Sequence, residues 1–344
     1  VLLNGPIWIL LDSSAFGGIE SHVLELAKGL TSHDQLVTVM FLSSYKPEPP
    51  LMAQLRDANI KIEVLDQTYT NSSFWLRLKQ AITEAKVRPV VIHAHGYKAN
   101  ILLRITRLLA VTDKIKLVCS FHAGETPTGR VRWYDALDRF SAFLTEQRIC
   151  VSRKIQSKLP CSSQLINNFV PEASLVESTG NNIAFVGRLS EEKGPDVFVS
   201  IANQMPETPF HIFGSGKMEP ELTKIKSNNV TFHGHQTDMA SIWPDIDILL
   251  ITSRYEGLPM AALEAMSRGI PIISFALGEL PSLIDSGRNG WIVDSRQQMI
   301  ECLRHWRALT HSEKMHIKIQ AQQTIEQNYS TQVVIPQMLA MYQR

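Results

Sequence analysis

Two spacings of apolar residues take turns along the chain. Short runs, IWILLD (7–12), LVTVMFL (36–42), IKIEVL (60–65), PVVIHAH (89–95) and IKLVCSF (115–121), have the length and branched side chains of buried strands. Between them, ESHVLELAKGL (20–30) and WLRLKQAITEAK (75–86) carry apolar residues every three or four positions, as one face of a helix requires. Strand and helix in turn predict parallel strands, because a crossover long enough to hold a helix returns the chain to the same end of the sheet. Such a sheet is covered on both faces.

After RICVS (148–152) the rhythm breaks. LINNFVPEASLVESTGNN (165–182) is polar and rich in turn residues, and the alternation then restarts with IAFVGRL (183–189), PFHIFG (209–214), NVTFHG (229–234), DILLITS (247–253), IPIISF (270–275) and GWIVD (290–294). The pattern predicts an α/β protein of two doubly wound domains with a boundary near 168–182. The first takes residues 1–170 and the second 171–327, and a last helix in about 328–344 packs back on the first. A chain of 344 residues gives each domain enough length to bury its own core. Open parallel sheets bind ligands at the carboxyl ends of their strands, so the chemistry is expected in a cleft between two such ends.

Apolar residues make up 44% of the chain and charged residues 19%, a globular balance, and no run approaches the roughly 20 apolar residues of a membrane span. The opening VLLNGPIWILLD has neither a basic leader nor a small-residue cleavage site and reads as a first strand, so a cytoplasmic location is expected. Cys119, Cys150, Cys161 and Cys302 form no CxxC pair and read as reduced structural thiols. The net charge of +1 conceals an asymmetry: 20 Lys and Arg against 14 Asp and Glu up to residue 170 leave +6, and 14 against 19 beyond it leave −5. The near-neutral total, without interleaved aromatic and basic residues, disfavours a nucleic-acid partner. Lys98, Arg104, Arg107, Lys114 and Lys116 lie in or near ILLRITRLLAV (101–111), which fits either a solvated helix face or peripheral contact with the anionic inner face of a membrane.

The most informative stretch is RYEGLPMAALEA (254–265), with Glu256 before an expected helix, Pro259 at its first position and Glu264 inside it. Backbone amides around Leu258, Pro259 and Met260 can meet a phosphate, whereas two carboxylates there need hydroxyl donors to hold. A sugar nucleotide offers both. Taken alone, the glutamates would only complement a helix dipole. They gain weight from FVGRLSEEKG (185–194), where Arg188 and Lys193 follow a strand and can neutralise a diphosphate without a metal. Gly214, Ser215 and Gly216 follow the next strand, and Gly17 and Gly18 follow the first strand of the chain, in turns that admit close backbone approach. His122 ends a strand, with Glu125 in the loop beyond it. His93 and His95 form an i, i+2 pair that, with no third ligand identifiable, is read as substrate contact or packing and not as a metal site. The DID of Asp245–Asp247 runs into a buried strand and reads as structural.

In their order along the chain, GGIE, FHAGE, INNF, FVGRLSEEKG, FGSG, VTFHGH and SRYEGLPMAALEA resemble the retaining GT-B glycosyltransferases of family 4, also called group 1. The resemblance covers nearly the whole chain. It implies a GT-B fold of two Rossmann-like domains facing a central cleft, the first taking the acceptor and the second the nucleotide-sugar donor. It further implies that Arg188 and Lys193 stabilise the departing diphosphate and that Glu264 holds the ribose diol. Glu256 would meet the hydroxyls of the transferred sugar, Gly257 would lie on the donor side, His235 would border the base, Gly18 would approach the phosphate or acceptor, and His122 would touch the donor sugar near the reacting centre. His95, Glu125 and Arg130 are expected on the acceptor side. No metal or other cofactor is implied, and the donor itself is a substrate, with a UDP-sugar favoured and GDP-mannose second. The expected acceptor is a glycan or lipid-linked glycan of cell-surface polysaccharide assembly. The alternatives are a sugar-nucleotide epimerase of the same architecture or a non-catalytic sugar-nucleotide-binding subunit. The linker reads Asn168-Phe169 where such proteins often have Asn-Gly.

Overall fold

The computed structural model describes residues 3–69, 73–122, 130–176, 182–236 and 238–344, the side chains of 130 and 131 excepted. The chain forms two compact units, one of Val1–Phe169 with Thr331–Arg344, the other of Val170–Ser330.

The first unit is built on seven strands: β1 (Ile7–Leu11), β2 (Val37–Phe41), β3 (Lys61–Val64), β4 (Val91–His95), β5 (Lys116–Phe121), β6 (Gln147–Cys150) and β7 (Gln164–Leu165). They are all parallel, in the order β3-β2-β1-β4-β5-β6-β7. Five runs read as strands from their apolar pattern are strands here. The two-residue β7 straddles the start of the segment read as linker and is too short to leave a period. Every residue of β1 and β4 is buried, as expected of strands covered on both faces.

The helix Thr331–Gln343 closes this unit. Its Ile335, Met338 and Tyr342 share a core with Val23, Ala27 and Leu30 of the helix Gly18–Ser32. The two helices approach closely at Gly29, where a Cβ would stand 2.6 Å from Ile335 Cγ1. One basic residue read as a surface charge is not at the surface: Arg104 is 1% exposed and ion-paired with Asp138 at 2.8 Å. Three others are engaged, Lys98 with Asp12, Arg107 with Glu146, and Lys116 with the Tyr342 carbonyl.

The second unit has six parallel strands, β8 (Ile183–Val186), β9 (Phe210–Phe213), β10 (Val230–Phe232), β11 (Ile248–Ile251), β12 (Ile272–Phe275) and β13 (Gly290–Val293), in the order β10-β9-β8-β11-β12-β13. Each was legible as an apolar run. Asp247, in the DID motif, is used internally: it accepts a hydrogen bond from Trp306 Nε1 at 2.6 Å and pairs with Lys318 at 3.2 Å, all three side chains being buried.

Strand order reverses between β1 and β4 in the first sheet and between β8 and β11 in the second. Neighbouring crossovers leave on opposite faces there, opening a crevice beyond the carboxyl ends of the strands. Among the described residues, no helix is long and apolar enough to cross a membrane.

Candidate functional site

In the second unit the loops after β8 and β11 meet at the switch point. Lys193 ends a short 3-10 turn, Glu191–Lys193, and Glu256 lies between β11 and the helix Met260–Met266. Lys193 Nζ is 2.8 Å from Glu256 Oε1 and 2.9 Å from Oε2, and Ser253 Oγ donates to Oε1 at 2.5 Å. The carboxylate is 7% exposed and the ammonium group's side chain 29%, so the carboxylate is held from below while the lysine faces partly outward.

Five further hydrogen bonds fix these loops together. Thr252 Oγ1 donates to the Gly194 carbonyl at 2.8 Å, and the Arg254 amide donates to the Glu192 carbonyl at 2.7 Å. Arg254 also grips Asp196 with both terminal nitrogens, at 3.0 and 2.7 Å, and donates to the Glu191 carbonyl at 2.7 Å. The guanidinium holds Asp196 below the usual carboxylate range through that hydrogen bonding. Gly194 sits at φ +62°, where an added Cβ would stand 2.2 Å from the Thr252 carbonyl oxygen, so only glycine admits this approach. Thr252, Ser253, Arg254 and Asp196 were given no role from the sequence, although Ser253 and Arg254 open the glutamate motif itself.

Arg188 projects from the loop after β8 with its side chain 67% exposed and Glu192 3.6 Å away. Gly214 and Gly216 each come close to another loop of the protein. A Cβ on Gly214 would lie 1.9 Å from the Gly187 carbonyl oxygen, and one on Gly216 would lie 2.4 Å from the Leu189 carbonyl oxygen. Close approach here is between two loops of the protein. The Ser215 carbonyl accepts from the Leu189 amide at 3.0 Å, which places the loop after β9 against the one carrying Arg188.

Pro259 is the N-cap of the helix Met260–Met266 and not its first residue, with φ −70° and ψ 134°. Its carbonyl accepts from the Ala262 amide at 3.1 Å. The side chains of Leu258 and Met260 are buried in the core, so only their backbone can serve a ligand. Gly257 accepts a hydrogen bond from the Glu279 amide at 2.8 Å, and an added Cβ would meet nothing within 4 Å. Glu264 lies in the helix, half-buried. His235 is exposed in the loop after β10. Its neighbour His233 stacks on Phe213, ring centroids 4.4 Å apart, and lies 2.9 Å from His211 Nδ1.

In the first unit, Gly17 caps the helix Gly18–Ser32, and the space beside Gly18 is open. His95 ends β4, and His122 follows β5. His95 Nδ1 and His122 Nε2 are 3.0 Å apart. His22, from the first turns of the helix after β1, comes edge-on to His122 with ring centroids at 4.9 Å. The sequence showed no third ligand for the pair His93 and His95; the fold brings one nitrogen each of His22, His95 and His122 within 4.8 Å of one another. His93 is spent on structure, with Tyr342 Oη 2.7 Å from Nδ1 and Ser120 Oγ 2.8 Å from Nε2. Burial holds His22 down to about 4 and pushes His93, His95 and His122 well below the usual imidazole range, so all four are neutral at pH 7. Phe169 is fully buried with its ring 5.4 Å from that of His22. Glu125 lies outside the described residues, and Arg130 opens the helix Arg130–Phe140 with its side chain outside them.

Comparison with known proteins assigns the two halves separately. Residues 16–160 match the family model "Glycosyltransferase Family 4", and residues 180–307 match "Glycosyl transferases group 1". The chain belongs to the group 1 glycosyltransferases of family 4. Relatives of this family 4 chain include the O-antigen biosynthesis glycosyltransferase WbnH of Escherichia coli, 24% identical over 65% of this chain and 68% of that one. Another from Escherichia coli is named UDP-Gal:alpha-D-GlcNAc-diphosphoundecaprenol alpha-1,3-galactosyltransferase, 25% identical over 59% and 62%. Among solved structures, HepE of Anabaena in complex with UDP and glucose superposes with a TM-score of 0.83 at 18% identity, covering 99% of this chain and 100% of that one. Sucrose-phosphate synthase of Thermosynechococcus elongatus gives 0.78 at 15%, covering 98% of each. Such likenesses establish the GT-B fold, two Rossmann-like domains. Arg188, Lys193, Glu256 and Glu264 all fall in the group 1 match, and the histidine cluster falls in the family 4 match.

Proposed function

We propose that this protein transfers a hexosyl or N-acetylhexosaminyl unit, with retention, from a nucleotide sugar to a glycan or lipid-linked acceptor in cell-surface polysaccharide assembly. The observation that carries the reading is the Lys193–Glu256 pair at the switch point of the second sheet, with Arg188 exposed on the same loop as Lys193. Two cations beyond the strand ends suit a diphosphate, and a carboxylate fixed beside one of them suits the hydroxyls of the attached sugar. A UDP-sugar is favoured and GDP-mannose is second, since one relative is named for UDP-Gal and solved neighbours hold UDP. On this reading Arg188 and Lys193 stabilise the charge that collects on the leaving diphosphate, with no metal needed there. Glu264 takes the ribose diol, and Glu256 orients the transferred sugar.

The test is a thermal-shift and calorimetry series with UDP, GDP, ADP and their common sugar conjugates, wild type beside Glu264→Ala. One nucleotide is expected to stabilise the wild type and to lose most of that effect in the variant. If none binds, the transferase reading falls. Release of sugar from the donor without acceptor separates an active enzyme from a non-catalytic subunit.

The acceptor side includes a membrane-facing element on this proposal. The basic residues around 101–111 are largely committed inside the unit, so they supply little of it. The helix Arg130–Phe140 is better suited: Trp133 is 79% exposed, Phe140 71%, and Phe143 just beyond it 65%, with Leu137 one turn from Trp133 and Arg132 exposed nearby. Exposed aromatics beside a cation suit the interface of an anionic bilayer. Co-sedimentation with phosphatidylglycerol vesicles, reduced by Trp133→Ser with Phe140→Ser, is the expected outcome.

A further inference from the structure

Four imidazoles cluster at the carboxyl edge of the first sheet, and two of them, His22 and His95, carry buried ring nitrogens outside hydrogen-bond geometry. His93 has Tyr342 and Ser120 for its two nitrogens. Among the described residues, neither ring nitrogen of His22 reaches a partner at hydrogen-bond geometry, although the Asn168 side chain is near enough to act on it, and His95 Nε2 reaches none. His22 and His95 are 1% and 2% exposed. Buried polar atoms left this way are rare in native proteins, and a cation held by one nitrogen of His22 would satisfy one of them.

We infer that His22, His95 and His122 form a binding site for a zinc-class divalent cation. One nitrogen from each lies within 4.8 Å of the others, from the ends of three elements that the parallel topology brings together. His95 Nδ1 and His122 Nε2 are already 3.0 Å apart. Two nitrogens bound tetrahedrally to zinc at about 2.0–2.1 Å stand roughly 3.4 Å apart, so a cation can take the place between them with a small opening of the pair, the proton they share moving to the far nitrogen of the ring that carried it. His22 then completes a three-nitrogen set within reach of side-chain rotation. All three imidazoles are neutral at pH 7, the form that ligates.

The donor set has nitrogen only, with no thiolate and no carboxylate, which selects zinc and its transition-metal neighbours over magnesium or calcium. Three imidazoles leave a fourth position for water or for an oxygen of a bound substrate. His93, its ring fixed by Tyr342 and Ser120, packs 4.1 Å from the ring of His95 and holds that ring's orientation. The site is separate from the diphosphate reading, which concerns Arg188 and Lys193 of the second unit.

The experiment titrates zinc alone into chelator-stripped, full-length protein by calorimetry, wild type beside His22→Gln and His95→Gln. The wild type is expected to bind one equivalent, with affinity falling by about 100-fold or more in each variant. No binding by the wild type, or binding by either variant as tight as the wild type's, overturns the proposal and leaves the orphaned nitrogens to ordered water. A variant that misfolds does not blunt the test, because cobalt(II) added to the wild type gives a second reading. Intense visible absorption of four-coordinate cobalt supports the site, and the faint spectrum of hydrated cobalt overturns it. The UDP thermal shift on the same samples reports the second unit, so failure here is distinguishable from failure of the transferase reading.

Discussion

Lys193 Nζ lies between the two carboxylate oxygens of Glu256, a residue 63 positions further along the chain. Two loops from different strands therefore hold one ion pair, and each half has a separate use toward a sugar nucleotide. Lys193→Ala and Arg188→Ala are expected to lower turnover by about two orders of magnitude or more, since both act on charge that develops as the diphosphate departs. Steady-state release of nucleotide measures this, and near-normal rates would remove either residue from the mechanism.

Glu256→Gln keeps the shape of the side chain and removes the charge that Lys193 and Ser253 face. A loss in kcat of about ten- to a hundredfold is expected, with the nucleotide-induced thermal shift retained, because the nucleotide itself is held elsewhere. Loss of the thermal shift would reassign Glu256 to nucleotide binding.

Arg254 acts through the loops that it joins. Arg254→Lys keeps the charge and forfeits the two-pronged grip on Asp196. The expected result is a raised KM with a smaller change in kcat, as the loop carrying Lys193 loosens. A variant with wild-type kinetics would show that Thr252 and the backbone bond to Glu192 suffice.

Gly214→Ala places a methyl group 1.9 Å from a backbone carbonyl, and backbone cannot move aside as a flexible side chain can. A destabilisation of about 1–3 kcal/mol is expected, read by denaturant unfolding. An unchanged midpoint would mean that the loop after β9 relaxes freely.

Acid should unfold the metal-free protein early. His22 titrates at about 4 in the folded chain against 6.5 ordinarily, and the shifts of His93, His95 and His122 have the same sign. The unfolded chain therefore takes up protons first as pH falls. Stability is full above pH 6.5 and is lost as pH drops toward 4, by at most about 1.4 kcal/mol per pH unit for each imidazole. The check is Tm against pH after chelator treatment, and a Tm level from pH 7 to pH 5 would contradict the burial of the cluster.

The two sheets could be read from apolar runs because a strand buried on both faces writes itself as uninterrupted hydrophobicity. The two-residue β7 left no such mark. Arg104 looked like a surface charge because its neighbours are helical and mixed; its burial depends on Asp138, 34 positions away, which no local pattern announces. His22 escaped notice for a related reason, since it sits inside the apolar face of ESHVLELAKGL and reads as a spacer. Glu256, Arg188 and Lys193 were legible through the order of the motifs around them, whereas the direct pairing of Lys193 with Glu256 and the stitch made by Arg254 required the fold. Gly214 and Gly216 stood out correctly as positions needing glycine, but the close neighbour is the loop after β8.

The chain leaves the first unit after Phe169 and returns to it at Thr331, with Val170 and Ser330 bridged side by side. During synthesis the second unit is thus complete before the first. The groove at Gly29 stays unfilled until Ile335 is in place, so the first unit cannot complete its core until the chain beyond the second has been made.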